Sequence, residues 1–226
     1  GEMPFGPGDE INDWTIVSHL ADGNRAAVYR AVKTAGSVAS GAWRVTPLAA
    51  PEVALKITGP LAPDDRARLL REYLTAKRFT GHANVVQVLD AFEVEHDEHG
   101  AYVVLVQELG DESLDDRVRR SGALSRSELT RLIADLATGM AALHEANFIH
   151  SDLKPPNLLW FGHRWKLADF GTSVEIDPRS LAEGQTVTTF SGGTAWYCTP
   201  EHAAALNAGR RPPPVRRDAD VWAFGV

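Results

Sequence analysis

The sequence predicts an α+β fold in two parts, a strand-rich part with a single helix followed by a mainly helical part. Three observations carry this prediction. Short runs rich in β-branched and aromatic residues, separated by turn residues, fill most of the first hundred positions. Only one segment among them, opening at Pro63, has helical spacing. After Gly110 the pattern turns helical, with apolar residues at three- and four-residue intervals.

Residues 14–20, 27–32, 53–57, 85–92 and 101–108 are the five expected strands. Residues 34–51, rich in Gly, Ser, Ala and Pro, read as a long hairpin loop between two of them. Pro63, Asp64 and Asp65 start the helix, because proline fits the first turn and carboxylates suit its positive end. Leu69, Leu70, Tyr73 and Leu74 are its expected apolar stripe. Residues 93–100 (EVEHDEHG) fall at a hairpin position and read as a solvated turn, with a metal cluster of His96, Asp97 and His99 as the alternative. The boundary falls near 108–111, giving parts 10–109 and 110–226. Beyond it, Ser125 and Glu128 form a capping-box pattern. Leu129, Leu132, Ile133, Leu136, Met140 and Leu143 follow at helical spacing. Short strands and a long irregular segment come after Ile149, and Asp220 opens a helix expected to be buried.

The composition excludes several classes. A net charge of -7 is unlike the basic stripe of a nucleic-acid binder. Cys198 is the only cysteine, so no intrachain disulfide can form and a cytoplasmic setting is expected. No run reaches the roughly 18 apolar residues of a membrane helix. The opening Gly-Glu-Met-Pro-Phe-Gly-Pro-Gly has neither a basic nor an apolar signal region, so no signal peptide is expected. A chain starting at Gly1 is expected to be a trimmed or excised part, with room for flanking domains on either side.

The chemistry concentrates in His150-Ser-Asp152-Leu-Lys154-Pro-Pro-Asn157, followed about a dozen residues on by Asp169-Phe170-Gly171. This pair resembles the catalytic loop and the Mg²⁺-binding triplet of protein kinases. The resemblance implies ATP and Mg²⁺ as cofactors and a two-lobed kinase-like fold, with an antiparallel five-stranded N-lobe carrying one helix. Its mainly helical C-lobe would here be cut at the start of its central helix. Phosphoryl transfer needs positioned charge more than covalent help. The resemblance makes Asp152 the base for the substrate hydroxyl, Asp169 a Mg²⁺ ligand, and Asn157 a neutral oxygen for a second Mg²⁺. Lys154 would neutralise the γ-phosphoryl oxygens.

Val53-Ala54-Leu55-Lys56 resembles the strand bearing the phosphate-contacting lysine, and Glu72 the helix carboxylate that pairs with it. Of the family's glycine-rich pattern, Ala21-Asp-Gly23-Asn-Arg-Ala26-Ala-Val28 keeps only Gly23, which implies a stiffer or weaker phosphate loop. Val28, Ala54 and Leu159 would sandwich adenine, with the backbone of Glu108 and Leu109 at its edge and Gln107 at the back of the pocket. Ala76, Val88, His150 and Phe170 match a column of stacked side chains. Thr199-Pro200-Glu201 resembles the end of the activation segment, Thr194 a substrate shelf tied to Asp152 and Lys154, and Asp220 the anchor of the catalytic-loop backbone.

Lys154-Pro and Thr194 match the serine/threonine branch, so the implied partner is a protein with a serine or threonine hydroxyl, or a second copy in autophosphorylation. The Ala- and Arg-rich usage suits the bacterial, eukaryotic-like members. Ser151 replaces the usual arginine before the base, so activity is expected not to depend strongly on phosphate at Thr186, Thr188, Thr189 or Ser191. Glu201 is expected to be a buried carboxylate lacking its arginine. The alternatives are an inactive nucleotide-binding scaffold, favoured by the poor glycine loop, and a small-molecule phosphotransferase, disfavoured by Thr199-Pro200-Glu201.

Overall fold

The computed structural model describes residues 3–23, 25–34, 51–169, 174–175, 197, 199–209 and 217–225. The chain divides into two compact units, one of residues up to Arg78 with Gln87–Leu109, the other of Phe79–Val86 with residues from Gly110 onward.

Among the described residues, the first unit is a six-stranded sheet with one helix. Strands β1 (Glu10–Ile11), β2 (Trp14–Gly23), β3 (Ala26–Lys33), β4 (Glu52–Thr58), β5 (Val88–His96) and β6 (Gly100–Glu108) lie in the order β1-β2-β3-β4-β6-β5, each pairing antiparallel. Side chains alternate across a strand. One set, Ala27, Tyr29, Ala31, Val53, Leu55, Ile57, Tyr102, Val104 and Val106, therefore gathers in a single core with Ile11 and Ile16. Burial of each large member contributes about 1.5–3 kcal/mol. The sixth strand, β1, was not foreseen among the five. Two residues cannot display an alternation, and β1 is joined to β2 by a tight turn through Asn12 at φ 51. Ahead of it, Met3 and Phe5 pack against the same core, the Phe5 ring edge-on to Tyr102 at 5.1 Å, and Tyr29 donates its hydroxyl to the Phe5 carbonyl at 3.0 Å.

Helix α1 (Pro63–Lys77) has proline in its first turn and packs along β5 and β6. Leu69 and Ala76, seven residues apart, are its buried positions, whereas Leu74 is exposed. Five residues beyond Leu69 is about 140° round the helix, so Leu74 falls outside the buried stripe. The strand expected at 85–92 starts at Val88. Val85 and Val86 belong to the second unit, where the Val86 N–H donates to the Leu167 carbonyl at 2.8 Å. The apolar run is continuous through that division, so periodicity does not mark it.

In the second unit, strand β7 (Glu112–Ser113) leads into α2 (Leu114–Ser121), and α3 (Arg126–Glu145) follows. Both helices open with capping boxes, Ser113 with Asp116 and Ser125 with Glu128. Leu132, Leu136, Gly139, Met140 and Leu143 are the buried face of α3. Leu129 and Ile133, expected in that stripe, are exposed, because the buried face is centred one position round the helix from them. Strand β8 (Phe148–Ile149) pairs with β11 (Val174–Glu175), and β9 (Leu158–Trp160) lies between β7 and β10 (Trp165–Leu167). Helices α4 (Pro200–Asn207) and α5 (Arg217–Gly225) complete the described residues. In α5, Asp220 is buried while Val221 and Trp222 are exposed, which corrects the expectation of a buried helix. No helix among the described residues is long and apolar enough to cross a membrane.

The hairpin between β5 and β6 turns at 97–99, as its polar sequence implied, with the His96 and His99 rings 4.7 Å apart. Of the loop expected at 34–51, residues 35–50 lie outside the described residues.

Candidate active site

The loop between β8 and β9 gathers a cluster of polar side chains in the second unit. It runs irregularly through Lys154 and closes with a 3-10 turn at Pro155–Asn157, where consecutive prolines suit the tight start. Asp152 and Asn157 are both buried. The Lys154 ammonium lies 2.6 Å from Asp152 Oδ2. The Asn157 amide donates to the Asp152 carbonyl at 2.9 Å and to its Oδ2 at 3.2 Å. With the NH2 group committed to Asp152, the side chain of Asn157 has an oxygen, Oδ1, left to offer.

Asp169 is brought to this loop through its neighbour. The Ala168 N–H donates to the Asn157 carbonyl at 2.9 Å, and the Ala168 carbonyl accepts from His150 Nε2 at 3.0 Å. Donation from Nε2 leaves Nδ1 of the fully buried His150 as an acceptor, toward which the Asp152 N–H points at 3.4 Å. Asp169 itself has φ 67, a left-handed conformation that aspartate tolerates better than most residues.

The loop backbone is anchored from α5. Asp220, 1% exposed, accepts from the N–H groups of His150 and Ser151, both at 2.9 Å. Its Oδ2 also lies 2.9 Å from His144 Nε2, on the last turn of α3. The role of His144 was not read from the sequence. Its signal was its position six residues before His150, which means nothing until α3 and α5 are packed. Ser151 has φ 68, and its hydroxyl is buried without a hydrogen-bond partner among the described residues.

Two supports of β10 were equally invisible. Asp135 accepts from the Trp165 N–H at 2.9 Å, and the Asn84 amide donates to the Trp165 carbonyl at 3.0 Å. Leu159 stands on β9, opposite Lys166 and Ser113. Gly110 is packed so closely beside it that a Cβ there would meet Leu159 Cβ at 3.1 Å.

The other expected residues lie in the first unit. Lys56 on β4 is directly paired with Val28 on β3, and Ala54 with Gln107 on β6. Alternation puts Lys56, Ala54 and Val28 on the sheet face opposite the Leu55 core. Gly23 ends β2, opposite Ala26. Glu72 lies within α1. Glu108 ends β6, its N–H donating to the Gln87 carbonyl at 3.1 Å and its carboxylate accepting from the Gln87 N–H at 2.9 Å; Leu109 follows it. Ala76 and Val88 are buried in this unit and His150 in the other, while Phe170 lies outside the described residues.

Thr194 also lies outside them, as do Thr186, Thr188, Thr189 and Ser191. Pro200 opens α4, and Thr199 sits just before it with its hydroxyl 2.7 Å from His202 Nδ1. Glu201 is exposed, not the buried carboxylate that was expected. The Thr199 hydroxyl holds its carboxyl below the ordinary range, helped by a backbone hydrogen bond.

Comparison with known proteins gives the same answer. The protein kinase domain family matches residues 14–226. A carbon catabolite-derepressing protein kinase of Candida glabrata is 30% identical over 218 residues, covering 93% of this chain and 32% of that protein. A probable serine/threonine-protein kinase of Corynebacterium efficiens is 32% identical over 178 residues, 77% of this chain and 26% of that protein. A calcium/calmodulin-dependent serine/threonine-protein kinase of Malus domestica is 34% identical over 149 residues, 64% of this chain and 32% of that protein. The chain thus spans about a third or less of the length of the curated relatives it matches. With its strand-rich unit bearing one helix and its mainly helical unit bearing the Asp152 loop, the chain belongs to the protein kinase family.

Proposed function

We propose that this chain transfers the γ-phosphoryl group of ATP to a serine or threonine hydroxyl of a protein. The observation that carries the reading is the cluster of buried Asp152 and Asn157 with half-buried Lys154, in which the Asn157 carbonyl accepts from the N–H of Ala168, the residue next to Asp169. In this reading Asp152 accepts the proton of the substrate hydroxyl as its oxygen attacks the γ-phosphorus. The bond from that phosphorus to the β–γ bridging oxygen breaks, and ADP leaves. Lys154, beside the base, balances charge on the transferring phosphoryl oxygens.

Asp169 and Asn157 Oδ1 are oxygen donors of the kind Mg²⁺ prefers, so the residues present fit that ion. When bound, it supplies positive charge to the β- and γ-phosphates. Lys56 would take the α- and β-phosphates with Glu72 as its partner, and Gly23 would lie in the loop over them. Val28, Ala54 and Leu159 would contact adenine, with backbone groups of Glu108 and Leu109 at its edge. Thr194, Thr199, Pro200 and Glu201 would receive the peptide. Ser151 offers no cation to a phosphorylated loop, so turnover does not depend strongly on phosphate at Thr186, Thr188, Thr189 or Ser191.

The test is transfer from γ-³²P-ATP to a generic protein substrate. Wild type should label it, and Asp152→Asn should slow labelling about 10²-fold or more with nucleotide affinity kept. Asp169→Asn should lose Mg²⁺-dependent nucleotide use. Wild-type nucleotide binding without labelling of any protein would favour the scaffold reading instead.

A further inference from the structure

The turn between β2 and β3 is held from outside itself. The Arg25 carbonyl accepts from the Gly59 N–H at 2.9 Å, and the Arg25 guanidinium donates to the Pro60 carbonyl. Gly59 and Pro60 directly follow β4, the strand that carries Lys56. The anchoring side is rigid, because a Cβ on Gly59 would lie 2.6 Å from the buried Tyr102 ring.

Two features single out the arginine as the element that holds this turn. Arg25 has φ 59, a conformation that strains an L-residue and that glycine adopts freely. The chain nevertheless has there a long side chain that reaches the β4–α1 connection. Gly23, by contrast, has room to spare, since a Cβ on it would meet nothing closer than 3.7 Å. Gly23 therefore makes no close approach that only a glycine allows.

We propose that Arg25 is a positioning residue for the nucleotide phosphates, a latch that fixes the β2–β3 turn to the end of β4. The inference rests on the reading that this turn covers ATP. A turn already ordered has less freedom to lose when a ligand binds, so the latch lowers the cost of nucleotide binding where the sequence has lost the usual glycines.

The Gly59 amide reports the latch directly. Hydrogen exchange at that amide is measured on the whole chain by NMR, for wild type, Arg25→Gly and Arg25→Lys, beside the KM and kcat for ATP. Arg25→Gly keeps the positive φ and removes the side-chain tie, and Arg25→Lys separates that loss from the backbone freedom glycine adds. Its Gly59 exchange should quicken about tenfold. Its KM for ATP should rise about threefold to tenfold, with the loss in KM rather than kcat. Arg25→Lys, which retains a cationic donor, should recover part of both effects. Unchanged exchange in Arg25→Gly overturns the latch, and quickened exchange with an unaltered or lowered KM overturns its role in binding. A wild-type chain that takes up no ATP defeats the nucleotide reading alone, because the exchange rates still decide whether Arg25 holds the turn.

Discussion

His144 Nε2 and Asp220 Oδ2 lie 2.9 Å apart, so a side chain from α3 and one from α5 meet at the backbone of the loop that carries Asp152. Asp220 satisfies two backbone N–H groups and one imidazole with a single buried carboxylate. Asp220→Ala would strand all three donors, and we expect a loss of about 3–5 kcal/mol of stability. Asp220→Asn keeps one acceptor oxygen and should lose about half of that. Urea denaturation measures both, and equal midpoints for the two variants would contradict the anchoring role.

Gly139 allows the segment Phe79–Val86 to lie against α3. A Cβ there would stand 2.8 Å from the Asn84 carbonyl, which already accepts from the Leu167 N–H at 2.9 Å and so cannot retreat cheaply. Gly139→Ala should lose up to about 2 kcal/mol net, since overpacking costs about 1–3 kcal/mol and better helix propensity returns only about 1. A melting temperature at or above that of wild type would show that the contact relaxes.

Glu128 should make the start of α3 acid-sensitive. Hydrogen bonds from Ser125, side chain first and backbone second, and then from Arg117 lower its carboxyl from 4.5 to about 2. Because the folded value is depressed, the stabilisation is complete above about 4.5 and is lost as pH falls from there toward about 2. Glu128→Gln should therefore be less stable than wild type at neutral pH, with the difference shrinking through that acid window. Thermal melts at a series of pH values test this, and a pH-independent gap would refute it.

Gly110→Ala probes the proposed adenine contact of Leu159 without touching a charged group. Its Cβ would press on Leu159 Cβ at 3.1 Å and on the Trp160 carbonyl at 3.3 Å, so β9 must shift by a few tenths of an ångström. We expect the KM for ATP to rise about threefold to tenfold with a smaller change in kcat. Unchanged kinetics in a variant of normal stability would count against Leu159 as an adenine contact.

Much of this arrangement was readable before any packing was known. Short β-branched and aromatic runs bounded by turn residues identified the strands of the sheet, and the resemblance singled out Ala54 and Lys56 within β4. Ser125 and Glu128 marked the start of α3 to the residue. These signals are legible because they are local, each arising from a backbone period or from a side chain bonding to its own turn. Where the expectations failed, at Leu74, Leu129, Ile133 and the strand start at Val88, the local pattern was sound but another element decided which face or unit the residue joined.

From sequence alone the chain is a kinase-like catalytic loop with Asp152, Lys154 and Asn157 at short spacings, and those spacings already bring the three together. Folding had to decide the rest. The resemblance had already named Asp220 as the anchor of the loop backbone, but its meeting with His144 across 76 positions, and that of Asn84 with Trp165 across 81, was decided only by packing. Such contacts leave no trace in a local period, because they exist only once separate helices and strands bury their apolar faces against one another and bring distant polar groups within bonding reach.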